Sequence, residues 1–145
     1  METANHLEDR LAIAALFARL AHLLDDQAFE GAAAVFTEDV TARSPRAELH
    51  GRDALVDFMR RSRVEGEFTQ HMHTDPLVDL EPEGAQGDQP ADRAKASVNS
   101  LVRYYREGEP PHRTSGLRLQ YFAVRTPQGW RFAEGRTTLL WTRED

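Results

Sequence analysis

At Gly66 the hydrophobic pattern of this chain changes period, and no other feature restricts its fold as strongly. Before that point apolar residues recur every three or four positions. Ile13, Leu16, Phe17, Leu20 and Leu24 form one stripe, and Leu55, Phe58 and Met59 form another. Such spacing lines up side chains on one helix face. Beyond Gly66 the period drops to two. In "GLRLQYFAVRT", Leu117, Leu119, Tyr121 and Ala123 alternate with Arg118, Gln120, Phe122 and Val124. "WRFAEGRTTLLWT" alternates as well, which predicts Trp130, Phe132, Glu134 and Arg136 on one strand face. Helices followed by long strands predict an α+β domain.

The first stripe predicts a helix over about residues 6–24, opened by Asn5 and Glu8 in a capping-box arrangement. Phe29, Ala32, Ala33 and Phe36 predict a short second helix, stopped near "TEDV". "VTARS" and "RAELH" read as two small strands across Ser44-Pro45, and Gly51 precedes a third helix. "FTQHMHTDPLVDLE" and "RAKASVNSLVRYYR" read as extended segments. The stretch 81–92, "EPEGAQGDQPAD", reads as a solvated loop, and Pro110-Pro111 interrupts pairing in the next connection. Residues 1–145 form one domain, with no repeat and no internal linker. A curled sheet closed on one side by three N-terminal helices gives a cone-shaped half-barrel around a pocket.

Composition removes several function classes. The net charge is −6 and Lys95 is the only lysine, so nucleic acid is not an expected partner. With no cysteine there is no disulfide, thiolate nucleophile or cysteine-held metal. The polar N-terminus lacks a signal-peptide plan, and no apolar run reaches membrane-spanning length, so a cytoplasmic protein without a membrane partner is expected.

"TQHMHTDP" (69–76) carries the most chemistry. On a strand His71 and His73 share a face, and Asp75 extends the set to a formally possible metal site. Three neighbours along one flat strand rarely converge on an ion, and no metal is expected. Acid–base chemistry is the second reading, since histidine is readily poised near neutral pH. It needs a carboxylate from another element. Asp25 lies beside the first apolar stripe and Asp26 further towards solvent, so Asp25 is the candidate. Burial in an apolar pocket predicts a raised pKa for it. A solvated strand face fits the two histidines as well on composition alone, and a helix-terminal position fits Asp25. Two adjacent acids at a helix C-terminus oppose the helix dipole, however, and so call for a reason.

The order and spacing of "RLAHLLDDQAFEGAAAVFTEDV" (19–40), "GRDALVDFM" (51–59), "TQHMHTDPLVDL" (69–80) and "VRTPQGWRFAEGRTTLLW" (124–141) resemble the SnoaL-like branch of the nuclear transport factor two-like superfamily. That group includes scytalone dehydratase, steroid ketoisomerases and polyketide cyclases. The resemblance implies the cone-shaped fold, with a long helix across a strongly curved antiparallel sheet. It also implies an Asp25–His71 pair as proton shuttle, with Asn99 and Tyr121 near polar pocket positions. His73 falls where the family commonly has an apolar residue. Leu20 stands where many members carry a tyrosine, and Ala28 where a second acid is often found.

The resulting expectation is a cofactor-independent lyase or isomerase acting on a hydrophobic, oxygenated small molecule, polyketide- or terpenoid-like. Asp25 and His71 are its catalytic candidates, and Asn99, Tyr121, His73 and Phe58 its substrate-binding ones. The competing expectation is a non-catalytic module for an apolar ligand, with His71 far from Asp25. Phe122 and Val124 face away from Tyr121 and suit either a homodimer surface or packing under a neighbouring element; a homodimer is expected. The arginines of the strands are expected to solvate their faces, and Trp130 and Trp141 to anchor a core or interface.

Overall fold

The computed structural model describes residues 4–81 and 91–145; the side chains of Ala4 and Asn5 and most of the expected 81–92 loop lie outside the described residues. The element order is α1 (Ala4–Asp25), a 3-10 helix (Phe29–Ala34), β1 (Phe36–Ser44), β2 (Ala47–His50), α2 (Arg52–Arg61), β3 (Phe68–Glu81), β4 (Arg93–Tyr105), β5 (Arg113–Thr126) and β6 (Gly129–Glu144). The six strands form one sheet in the order β2-β1-β6-β5-β4-β3. Every junction is antiparallel except β1 with β6, which run parallel. The helices pack against one face of this curved, open sheet, giving the expected α+β half-barrel.

The core lies between α1 and the inner sheet face. Ile13, Leu16, Phe17, Leu20 and Leu23 meet Val98, Leu119, Tyr121, Ala123 and Phe132, all buried. The apolar alternation of β5 is as expected, and β4 shows the same pattern: Ala94, Ala96, Val98, Ser100 and Val102 point inwards. Burying a side chain such as Phe17 or Leu20 stabilises by about 2 kcal/mol.

Three expectations need correction. Phe36 opens β1 rather than continuing a helix. The preceding turn is 3-10, and the Phe132 amide donates to the Val35 carbonyl at 2.8 Å, drawing the chain into the sheet. On β6, Trp130 and Phe132 are buried, but Glu134 and Arg136 are exposed and Gly135 faces inwards. A β-bulge between the Phe122/Ala123 pairings inserts Ala133 and inverts the alternation. Finally, Arg125 is no mere solvated arginine. It donates to Asp9 at 2.8 Å and lies 4.8 Å from the Trp130 ring, whose indole N–H donates to Asp9 at 3.0 Å.

α1 ends in a Schellman arrangement. The Ala28 amide donates to the Leu23 carbonyl at 3.0 Å and the Gln27 amide to Leu24 at 3.3 Å, with Gln27 at φ 54°. This stop leaves Asp25 on the last turn, facing β3. Among the described residues no helix is long and apolar enough to cross a membrane.

Candidate active site

A cavity of about 720 Å³ opens between the helices and the inner face of the sheet. Leu20 and Leu24 from α1, Leu55, Phe58 and Met59 from α2, and Leu117 and Leu119 from β5 make its wall apolar. A second hollow of about 640 Å³ lies on the outer face, among Lys95, Gln120, Phe122 and Glu134. The first hollow contains both histidines of "TQHMHTDP", and there titratable groups meet an apolar enclosure of the kind that takes small molecules.

The strand alternation brings Thr69, His71 and His73 to the inner face, opposite Tyr104, Val102 and Ser100 of β4. Three hydrogen bonds to the Asp25 carboxylate come from this strand. His71 Nδ1 lies 2.6 Å from Oδ1, the His71 backbone amide donates to Oδ2 at 2.8 Å, and the Thr69 hydroxyl donates to Oδ1 at 3.0 Å. The side chains of His71 and Asp25 retain 13% and 19% exposure, so the pair is sheltered without being sealed. An ionised carboxylate only accepts, so Nδ1 carries the proton and Nε2, on the opposite ring edge, is the basic nitrogen.

The raised pKa expected for Asp25 is not found. Burial does push it upwards, but the bonds from the His71 side chain and amide, the His71 charge and the Thr69 hydroxyl together hold it below its ordinary value. The carboxylate therefore stays ionised and orients the imidazole. Thr69 was not singled out for this role in the sequence; the i, i+2 spacing that links it to His71 is the signal that identifies it.

His73 shares the cavity wall. Its Nδ1 lies 2.9 Å from the Phe17 carbonyl, which can only accept, so the proton again sits on Nδ1. Burial lowers its pKa, and repulsion from His71 adds to this. The Phe17 carbonyl and the Asp25 charge act in the opposite sense without prevailing. The two imidazoles are 5.9 Å apart, edge to face.

Tyr121 lies at the cavity floor and stacks on Phe132 at 4.3 Å. Burial pushes its phenol up to about 12, so it keeps its proton at neutral pH. Gly135 makes room for it, since a Cβ there would overlap the Tyr121 ring. Phe58 lines the opposite side, 5.4 Å below the Arg46 guanidinium. At the rim Glu67 lies 2.8 Å from His112 Nε2 and 3.6 Å from Arg113, which stacks 3.9 Å over Tyr104.

Asn99, expected in the pocket, is on the other face of the sheet. Its carbonyl accepts from Arg118 at 2.7 Å and its amide donates to Asp75 at 3.3 Å. The β4 alternation that turns Val98 and Ser100 inwards must turn Asn99 outwards. Asp75 likewise leaves the histidine face. A bulge between Thr74 and Leu77, with Asp75 at φ 56°, breaks the i, i+2, i+4 series behind the formal His-His-Asp metal set. Phe122, on the outer face as expected, is half-buried beneath Arg93 at 4.3 Å.

A model of the SnoaL-like domain family matches residues 5–136. The chain belongs to that family. No curated protein matches it by sequence. Among solved structures, it is similar to a scytalone dehydratase-like protein from Novosphingobium aromaticivorans, with 20% identity over 99% of this chain and 92% of the other and a TM-score of 0.80. A type 2 LinA hexachlorocyclohexane dehydrochlorinase gives 13% identity, 97% and 91% coverage and a TM-score of 0.81. ActVI-ORFA from Streptomyces coelicolor gives 17%, 90%, 96% and 0.74. At these identities the likeness shows a shared fold.

Proposed function

We propose that this SnoaL-like protein is a cofactor-independent lyase or isomerase that moves a proton on a hydrophobic, oxygenated small molecule in the cytoplasm. The observation that carries the reading is the 2.6 Å contact between Asp25 and His71 beside an apolar cavity. A module that only holds a ligand has no need of a sheltered carboxylate held by three donors and aimed at one imidazole. Two structural neighbours bear the names of a dehydrochlorinase and a scytalone dehydratase, both eliminating activities, which supports the same class.

In this reading His71 Nε2 takes a proton from a carbon next to an electron-withdrawing group. The C–H electron pair becomes the new π bond. Asp25, fixed by Thr69 and the His71 amide, stabilises the imidazolium that forms. In a dehydration, the imidazolium returns its proton to the departing hydroxyl and water leaves; in an isomerisation, the proton goes to another carbon. The outer sheet face, where Met72 and Trp141 are exposed, is the surface a homodimer would use, and light scattering on the purified protein reads that state.

The test is exchange of the acidic α-protons of 2-tetralone into deuterated water, followed by proton NMR. Wild-type protein accelerates the exchange, whereas Asp25→Asn and His71→Ala, folded by circular dichroism, do not. Equal acceleration by all three proteins overturns the assignment.

A further inference from the structure

The apolar cavity carries charge on its wall from Arg43, Arg46, Glu67, Arg113 and Glu144. Four of these have a neighbour of opposite sign. Arg43 donates to Glu48 at 3.2 Å. Glu67 lies 2.8 Å from His112 Nε2 and 3.6 Å from Arg113, and Glu144 stands opposite Arg113 in the β5–β6 register. Arg46 differs. It is exposed, and among the described residues no carboxylate lies within ion-pair distance of it. Its guanidinium stands 5.4 Å over the ring of Phe58, which is itself part of the wall. The guanidinium N–H donors lie in its own plane, so a ring below leaves them open to a ligand. The stem of the side chain is fixed. Arg46 follows Pro45 in the two-residue turn between β1 and β2, closed by the Ser44–Ala47 pairing, and its amide donates to Ser44 Oγ at 3.3 Å. β1 passes the cavity floor at Ala42, paired with Gly135, and Arg46 lies four residues further along.

We infer that Arg46 is the head-group site of this cavity and that the ligand is an amphipathic monoanion: a carboxylic acid whose apolar body lies against Phe58 and the leucines of the wall. The inference rests on the reading of this cavity as a small-molecule site and adds the chemical class of the ligand. The planar fork of an arginine matches a carboxylate with two parallel bonds. The other charges of the wall already face an opposite one, so a single positive charge remains to be matched. A carboxylate supplies one negative charge, whereas a phosphate monoester carries nearly two. The apolar lining, Leu20, Leu24 and Leu55 among it, takes the body of the ligand. The exposed turn leaves the anion in contact with water, which keeps its desolvation cost small. A head group held on the β1–β2 turn fixes which carbon the ligand presents to His71 on β3.

The experiment compares 2-naphthoate with its neutral isostere 2-naphthamide by isothermal titration calorimetry on the full chain near neutral pH. Naphthoate binds about 5- to 10-fold more tightly, the size of a charge-assisted contact that stays partly wet. Arg46→Gln brings the two affinities together while naphthamide still binds, and Arg46→Lys keeps part of the preference. Both variants are checked by circular dichroism. Arg136→Gln removes an exposed arginine of the outer sheet face and leaves the preference whole. Acetate, which has the head group and no apolar body, binds far more weakly than naphthoate. Absent naphthoate binding or equal affinity for the two naphthalenes in wild-type protein overturns the inference, as does a preference that survives in Arg46→Gln. An equal loss in Arg136→Gln assigns the preference to general surface charge and overturns it too. So does acetate binding as tightly as naphthoate, or 2-naphthyl phosphate binding more tightly than naphthoate. All these readouts are of binding, so failed tetralone exchange with an intact naphthoate preference counts against the proton-transfer reading alone.

Discussion

α1 carries a buried carboxylate near each end, and the two differ in what surrounds them. Asp9, 7% exposed, accepts from the Arg125 guanidinium and the Trp130 indole. Both donors are fixed in their protonated state at any physiological pH. Arg125 is held further by two bonds to the Ala91 carbonyl, at 3.0 and 2.8 Å. Asp25 accepts from a hydroxyl, an amide and an imidazole, and only the imidazole can give up a proton. The first arrangement fastens the start of α1 to the β5–β6 hairpin. The second holds an imidazole, a side chain able to titrate, at the edge of a cavity. A carboxylate on the same helix thus serves as clamp or as part of a site according to whether its partner can titrate.

The largest effect that separates the two ends is on turnover. Asp25→Asn lowers the tetralone exchange rate by about 100-fold or more, the size of a lost acid–base contribution. Asp9→Ala, assayed at a temperature where it remains folded, keeps most of it. Equal losses in both variants break the distinction. The next effect is on stability and falls on the other end. Asp9→Ala lowers the unfolding free energy by about 2 kcal/mol, because an indole N–H and a guanidinium lose their acceptor. Urea denaturation measures it. The estimate lies below that for a fully buried pair because the Arg125 side chain is 36% exposed.

A pH titration of stability sharpens the contrast within the site itself. Asp25 has a folded pKa below its ordinary value, so its contribution is complete above about pH 4 and fades as pH falls through the lowered value. Asp25→Asn flattens that acid limb. His73 also has a lowered pKa, but as a base it works in a different window. The unfolded chain binds a proton near pH 6.5 while the folded one resists, so stability declines as pH drops below about 6.5. The groups facing it are His71, Asp25 and the Phe17 carbonyl, and His73→Phe removes its share of the slope. The smallest effect is at the stop of α1. Gln27 holds a left-handed conformation that glycine adopts without strain, so Gln27→Gly stabilises by about 0.5–1 kcal/mol in thermal melts.

Much of this was legible in the residues. The change of period at Gly66 marks the passage from helices to long strands, and the Leu24–Asp25–Asp26 sequence correctly turns Asp25 inwards and leaves Asp26 exposed. Asp9 was not singled out, although it lies four positions before Ile13 on the same stripe; a charged residue there reads as a break in the pattern. Asn99 shows local pattern outperforming resemblance. "AKASVNS" places it among Lys95 and Ser97 on the polar face, and only the family likeness suggested the pocket. The bulges at Asp75 and Ala133 were not legible. A bulge is a mismatch between two strands, and neither strand alone records the register of its partner.

Gly135 gives the cavity a floor that depends on a side chain being absent. Any larger residue there displaces the Tyr121 ring, yet neither Asp25 nor His71 touches that position. The depth of the chamber and the Asp25–His71 contact are thus separately heritable. A lineage can recut the space inside the cavity by one substitution on β6 and keep the Asp25–His71 contact between α1 and β3 intact.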